Sequence, residues 1–281
     1  MPVGPSSVAS FDGVCQHGHV LTADQRASFA ADGLLKLPAA LDPADAGRMC
    51  DEVWAFLAAT QGISPDDAST WTTARPAGFG RLSRTGTLDH LWSPTVRSAL
   101  SDLLGDDQHR ERPRVLMTFP HPDQHWDVPS TAWHFDYTPL QSRPGLRAVQ
   151  VFALLSDVQP HGGGTLVLSG SHHLVSRYVA RTQQEPKPRL VRTDLNARHP
   201  WLADLWGHHS AQHDRPGSRA TRLLDVPTTV DGVELCVTEV TGTSGDIYLM
   251  NSDCFHAIAP NTRPVTRVMC TSLVLRTPTK G

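Results

Sequence analysis

From residue 110 onward the chain reads as a succession of short β-rich runs: "RVLMTF", "TAWHFDY", "RAVQVFALL", "GTLVLSG", "VELCVTEV", "GDIYLMN" and "TRVMCTSLVL". Runs of this length, rich in Val, Thr, Leu and aromatic residues and separated by turn formers, are strands. So many strands in one chain must pair into sheets whose apolar faces meet. The pattern therefore predicts a sandwich or jelly-roll core. The earlier part is helical. In "LTADQRASFAADGLLKL", Thr22 is a candidate N-cap with Leu21 as the staple outside it, and Gly33 ends the helix before a short strand. In "DPADAGRMCDEVWAFLAAT", Asp42 caps and Pro43 takes the first helical position, while Ala46, Met49, Cys50, Val53, Phe56 and Leu57 keep helical spacing. "SPTVRSALSDLLG" repeats the pattern with Ser93, Pro94 and a closing Gly105. The expected class is α+β, mainly β.

No repeat, low-complexity tract or linker divides the 281 residues, so residues 1–281 are expected to form a single domain, with residues 1–20 as a loose arm. Residues 173–232 break the strand rhythm. They are polar, Arg-rich and interrupted by Pro, and are read as a long strandless insertion, a candidate lid over the barrel mouth. A net charge of −3 gives no single-sign field for nucleic acid or an anionic membrane. No apolar run approaches the roughly 18 residues that a span needs. The N-terminus has no basic region followed by an apolar run. Cys15, Cys50, Cys236, Cys254 and Cys270 are odd in number, scattered and without a C-x-x-C, which speaks against a disulfide framework or a thiolate zinc site. The expectation is a cytoplasmic protein with a small-molecule substrate. The sequence says nothing about oligomeric state.

Four His-x-acid pairs occur: His109/Glu111, His121/Asp123, His125/Asp127 and His134/Asp136. Chance alone supplies roughly one or two, so context must choose. His121 and His125 lie in the Pro-rich "FPHPDQHWDVPS", a loop, and His109/Glu111 lies in the charged connector "GDDQHRERPR". His134 and Asp136 sit in an apolar strand pattern, where residues two apart share a face and Trp133, Phe135 and Tyr137 take the other. A carboxylate there needs a partner. On this local pattern alone, a neutral core His bonded to its neighbour stands level with a metal ligand. His256 follows 122 residues later and Arg267 eleven after that, at the head of the last apolar strand. Two His and one carboxylate on a β scaffold with open positions form the ligand set of non-haem Fe(II) oxygenases. An Arg deeper in the barrel would pair the far carboxylate of a dicarboxylic co-substrate.

The pieces "WHFD", "LLSDVQPHGGGTLVLSGSH", "GDIYLMNSDCFH" and the N-x5-R of Asn261–Arg267 together resemble the phytanoyl-CoA dioxygenase (PhyH-like) family of Fe(II)/2-oxoglutarate-dependent oxygenases. Ser169 stands where the family's Gly-rich turn usually has Pro, and Ile258 stands where relatives often have Ser. The resemblance implies a double-stranded β-helix (jelly-roll, cupin-like) with the N-terminal helices packed outside. It implies His134, Asp136 and His256 as iron ligands and catalytic residues. It further implies Arg267 as the clamp on the 2-oxoglutarate C5 carboxylate, Thr165 as a second hydrogen bond to it, and Phe152 lining the co-substrate, with Gln150 on the same face. Arg81 in "GFGRLSRTG" falls where some relatives place a basic residue near 2-oxoglutarate. The implied cofactors are Fe(II), 2-oxoglutarate and O2, with ascorbate as a reductant. The implied reaction is hydroxylation of an unactivated C–H with release of succinate and CO2. Relatives that halogenate replace the carboxylate of the His-x-Asp pair, so Asp136 points to hydroxylation. No phosphate cradle marks a CoA thioester, and a natural product or amino-acid-derived metabolite is the expected substrate class.

Two other readings remain open at this stage: a non-oxidative metal-binding cupin, or a catalytically silent β-sandwich binding protein. Arg267 with Thr165 separates them, because a simple metal cupin needs no dicarboxylate clamp. His208, His209 and His213 of "HHSAQH" are read as a solvated segment, "SHH" at 171–173 as a turn and strand exit, and "HGH" at 17–19 as part of the arm. Trp201 and Trp206 serve equally as a buried turn or a substrate-facing lid, with Arg192 and Arg222 as carboxylate partners in the latter case.

Overall fold

The structure is a computed structural model. It describes residues 20–73, 75–121, 123–136, 145–207, 215 and 217–277. The arm, Cys15, "HGH", Tyr137, His208, His209 and His213 lie outside the described residues.

The helix signals read from sequence act as expected. α1 (Ala23–Asp32) begins with a reciprocal capping box between Thr22 and Gln25 and ends at Gly33, whose φ of 67° suits a residue without Cβ. β1 (Leu34–Leu37) follows. α2 (Pro43–Gln61) is capped by the Asp42 carboxylate, and α3 (Pro94–Leu104) by the Ser93 hydroxyl. The remaining strands are β2 (Gln108–Arg110), β3 (Arg114–Thr118), β4 (Ala148–Leu154), β5 (Thr165–Ser169), β6 (Thr228–Val230), β7 (Val233–Glu239), β8 (Ile247–Asn251), β9 (His256–Ile258) and β10 (Arg267–Arg276). The named strands all pair antiparallel. One sheet runs β1-β8-β4-β10-β2, with β3 also on β10, and the second runs β6-β7-β5-β9.

Strand alternation sorts the apolar residues into three layers. Val149, Val151, Ala153, Ile247, Leu249, Val268 and Cys270 leave the outer face of the first sheet and pack under α1, α2 and α3. Phe152, Leu154, Val167, Tyr248, Met250 and Met269 fill the space between the sheets. Leu166, Leu168, Leu235, Val237 and Ala257 leave the outer face of the second sheet. The result is a double-stranded β-helix whose interior is open to polar residues at two places, around His256 and around Arg267. No described helix is long and apolar enough to cross a membrane.

The structure departs from the sequence reading in three places. Residues 173–232 are not strandless loop. Around and within them lie α4 (Ser171–Thr182), α5 (Pro188–Arg198), α6 (Pro200–Leu205), α7 (Ser218–Leu223) and β6. Pro188 and Pro200 interrupt nothing, because each sits in the first turn of a helix, where a missing N–H costs no bond. Val191, Leu195, Leu202, Leu205 and Leu223 bury themselves against the second sheet, so these helices form its outer cover. "SHH" opens α4 instead of ending a strand. "TAWHFDY" forms no strand among its described residues. It makes a single antiparallel bridge between His134 and His256, yet Trp133 and Phe135 still alternate inward at 2% exposure each.

Candidate active site

The bridge is what joins two segments far apart in sequence. The His134 N–H donates to the His256 carbonyl at 3.0 Å and the His256 N–H returns the bond to the His134 carbonyl at 2.7 Å. Two residues on, the Asp136 N–H donates to the Ser252 carbonyl at 3.0 Å. On the other face, Phe135 meets Phe255 edge-on, with Trp206 tilted against Phe255 at 5.1 Å, and the Trp133 indole N–H bonds the Pro129 carbonyl at 2.7 Å. The aromatic face anchors the segment in the second apolar layer and turns the polar residues the other way. One ligand atom from each of His134, Asp136 and His256 lies within 4.8 Å of the others, and no other group of three such residues exists among the described residues.

Both imidazoles are oriented by backbone carbonyls. His134 Nδ1 lies 2.8 Å from the Ala132 carbonyl, and His256 Nδ1 lies 3.1 Å from the Cys254 carbonyl. A carbonyl oxygen only accepts, so each Nδ1 carries the proton and each Nε2 keeps its lone pair for a metal. Burial pushes the His256 pKa down, which also favours the neutral ring. Ala132 takes φ 64°, a left-handed conformation that costs a non-glycine residue about 1–3 kcal/mol. The turn between β8 and β9 is fixed as well. Arg147 and Asp253 form a buried ion pair, the Asp253 N–H bonds Asn251 Oδ1 at 3.0 Å, and the Ser252 N–H bonds the Ala148 carbonyl at 3.1 Å. Ser171, from the Gly-rich motif, accepts the Phe255 N–H at 2.8 Å and donates to the Leu168 carbonyl at 2.6 Å. His134 is exposed, Asp136 half-buried and His256 buried, so one side of the cluster is open.

The other polar place in the interior centres on Arg267, at 1% exposure. Its only described side-chain bond is a weak one from Nη1 to Met269 Sδ at 3.3 Å, and its Nε has no partner. Burial first and the charge of Arg75 second push its pKa down to about 9, with Glu239 opposing them, so it remains a cation at neutral pH. Thr165 Oγ1 is also buried without a partner. Thr165 pairs in register with Ile258, two residues past His256. Phe152 and Gln150 share the inward face of β4. Phe152 is in the inner core, and Gln150 is buried with its Nε2 on Thr271 Oγ1 and its Oε1 unpartnered. A buried guanidinium and a buried hydroxyl left unbonded on facing sheets are what a bound carboxylate would satisfy. The residues therefore fit both a metal ion and a dicarboxylate. His134, Asp136 and His256 would hold the first, and Arg267 and Thr165 the distal end of the second.

Arg81 is elsewhere. It starts a 3-10 turn, is exposed, and stacks over Phe56 at 5.9 Å on the helical side. The basic residue that does reach Arg267 electrostatically is Arg75. The other His-x-acid pairs hold no cluster: His109 is exposed on β2, His121 and His125 are exposed in their loop, and Asp127 accepts N–H bonds from Gly217 and Ala220 at the start of α7. Trp206 is buried against Phe255 and Trp201 packs partly buried into the same layer. Arg192 bonds the Trp133 carbonyl at 3.3 Å and Arg222 bonds Asp204 at 3.2 Å. Among described residues, Arg192 thus reaches the segment that carries His134, while Arg222 ties α7 to α6. Sequence reasoning missed Glu239, whose carboxylate accepts the His161 and Gly164 N–H groups at 2.8 and 3.2 Å and whose burial raises its pKa to about 7. It lies at the end of an alternating strand, with no local mark to separate it from a solvated acid. Asn261 pins the turn into β10 through the Val265 carbonyl at 2.8 Å, and Gly163 is needed because a Cβ there would stand 2.8 Å from Thr118 Oγ1.

Solved structures share this architecture. SnoK, a non-heme alpha ketoglutarate dependent carbocyclase from nogalamycin biosynthesis, superposes with a TM-score of 0.56 at 15% identity, over 91% of this chain and 84% of that one. SnoN, an epimerase from the same biosynthesis, gives 0.55 at 15% identity over 90% and 81%. EctD from S. alaskensis, solved with 2-oxoglutarate and 5-hydroxyectoine, gives 0.55 at 18% identity over 96% and 79%. Among curated protein sequences none matches. The family model described as phytanoyl-CoA dioxygenase (PhyH) matches residues 29–269, which span both sheets, the His134–Asp136–His256 cluster and Arg267. The chain belongs to the phytanoyl-CoA dioxygenase family of 2-oxoglutarate-dependent non-haem iron enzymes.

Proposed function

We propose that this chain hydroxylates an unactivated C–H of a small organic metabolite, a natural product or an amino-acid derivative, with release of succinate and CO2. The observation that carries the reading is the pairing of a His-Asp-His cluster with a buried Arg267 whose Nε has no partner, on the same interior. A metal-binding cupin without a co-substrate has no use for a buried guanidinium that forms no ion pair with a described carboxylate, since such a charge is costly. A silent binding module has no use for two imidazoles whose Nε2 atoms are both held free. Retention of Asp136 as a third ligand supports hydroxylation over halogenation.

In this reading His134, Asp136 and His256 present three ligand atoms on one side and leave the exposed side for co-substrate and dioxygen. The Ala132 and Cys254 carbonyls keep both rings in the ligating tautomer. Arg267 and Thr165 take the distal carboxylate of 2-oxoglutarate, which fixes its reach toward the cluster. Phe152 and the inner apolar layer exclude water from the co-substrate. Iron with 2-oxoglutarate and O2 supplies the oxidising power that side chains lack. The test is substrate-triggered succinate release by the purified, Fe(II)-loaded protein across a metabolite panel, with ascorbate as reductant. Succinate formed in step with a hydroxylated product supports the reading. A chlorinated, desaturated or isomerised product formed in its place would overturn hydroxylation, and no succinate with any substrate would overturn the oxygenase reading.

A further inference from the structure

A cavity of about 470 Å³ opens beside β9, lined among others by Arg75, Thr118, His121, His125, Ile258 and Asn261. That volume suits a small organic ligand. Its position ties it to both polar places of the interior. Ile258 is two residues beyond His256 on one strand, about 7 Å along it. Thr118 stands opposite Arg267 in the register of β3 and β10.

We infer that this cavity is an anion subsite, which holds a carboxylate or phosphate group of the substrate on Arg75 while the reacting carbon faces the His134–Asp136–His256 cluster. Three arginines border the cavity. Arg219 is committed to the carbonyls of Val128, Asp204 and Leu205 at 2.7–2.9 Å. The side chains of Arg75 and Arg215 make no hydrogen bond or ion pair with another described residue. Among the described lining residues the one carboxylate, Asp127, is already taken by the N–H groups of Val128, Gly217 and Ala220. The charge of Arg75 also reaches Arg267, and neither guanidinium forms an ion pair with a described carboxylate. One 2-oxoglutarate carboxylate answers Arg267 and leaves Arg75 at the wall of the cavity. Thr118 Oγ1 is an independent sign: it is 4% exposed, lines the cavity and has no partner. A buried hydroxyl without a bond and an unpaired guanidinium together form a site for an oxyanion.

The inference rests on the hydroxylase reading only for which side of the ligand faces the cluster, and its test begins on metal-free protein so that the two fail separately. The probe is inorganic phosphate, titrated calorimetrically into the apoprotein, and again with 2-oxoglutarate at saturation. One phosphate should bind per chain in both titrations. Arg75→Gln should weaken it about ten- to a hundredfold, the effect of losing a charge-assisted bond, while Arg81→Gln should leave it unchanged. Arg75 is exposed, so the variant should keep the wild-type melting temperature. In the metabolite panel, active substrates should carry a carboxylate or phosphate, and Arg75→Gln should raise KM with kcat nearly unchanged. Absence of phosphate binding, displacement of phosphate by 2-oxoglutarate, or an equal response of both variants (an adventitious ion only) would overturn the subsite. So would a panel in which only uncharged substrates turn over.

Discussion

The two polar places in the barrel are held in opposite ways. Around His256, the protein's own groups complete every feature: two carbonyls orient the imidazoles, a reciprocal bridge joins the His134 and His256 segments, and an Arg147–Asp253 pair fixes the turn between β8 and β9. Around Arg267, the protein leaves donors unmet: Arg267 Nε and Thr165 Oγ1 are both buried without a partner. The first region is organised before any ligand arrives. The second is left incomplete, and its missing partners are those a dicarboxylate brings. The difference teaches where the fold invests stability and where it gives stability up in exchange for ligand binding.

The largest expected effect breaks the first region. His256→Ala removes one of three ligands and should cost more metal affinity than the 10–100-fold typical of losing an outer partner. His134→Ala should do the same and leave the melting temperature intact, because its ring is exposed. Metal titration and turnover read both, and His121→Ala and His125→Ala should retain metal. Next, Arg267→Met should raise the 2-oxoglutarate Kd about ten- to a hundredfold and leave metal affinity unchanged. Since it removes a buried cation that forms no ion pair with a described carboxylate and keeps much of the volume, the apoprotein should melt no lower than wild type. A clearly lower melting temperature would show that Arg267 is a structural residue, and the contrast between the two regions would fail.

A smaller effect is expected at Asp253. Asp253→Asn leaves Arg147 with a neutral partner and loosens the turn that carries Ser252 and Cys254. Metal affinity should fall by about tenfold, at the low end for groups behind a ligand, and 2-oxoglutarate binding to the metal-loaded protein should hardly change. Equal losses of both ligands would mean general loosening. The smallest effect concerns Glu239, whose folded-state pKa is raised to about 7 from 4.5, mainly by burial. The fold favours its neutral form. Stability is therefore highest below pH 4.5 as far as this group is concerned, declines as pH rises from 4.5 through 7, and declines no further above that. Glu239→Gln should flatten this part of the pH–stability curve, measured by urea unfolding at a series of pH values. An unchanged slope would assign the decline to other groups.

Much of the molecule was legible because local and global signals agree. Thr22, Asp42 and Ser93 with their following prolines or capping partner mark helices that form where expected, and the apolar runs read as strands became β4, β5, β8 and β10. The His134–Asp136 choice rested on apolar neighbours, and Trp133 and Phe135 do turn inward, although one bridge and one further backbone bond replace the expected strand. What stayed hidden depends on three-dimensional packing. The prolines at 188 and 200 look like breakers until the helices they start are seen against the second sheet. Arg75 and Arg81 are six residues apart in one loop-rich stretch, and only folding puts the first near Arg267 and the second over Phe56. Trp206 offers no sequence mark of whether it meets solvent, substrate or Phe255.

The central claim is that a metal at His134, Asp136 and His256 and a carboxylate at Arg267 complete one binding site. Calorimetric titration of 2-oxoglutarate into wild type, His256→Ala and Arg267→Met, each with and without Mn(II) under anaerobic conditions, tests it most directly. The account predicts tight binding to wild type with metal, at least tenfold weaker binding to Arg267→Met with metal, and no gain from metal in His256→Ala. Metal-independent binding of equal strength in all three proteins would contradict it.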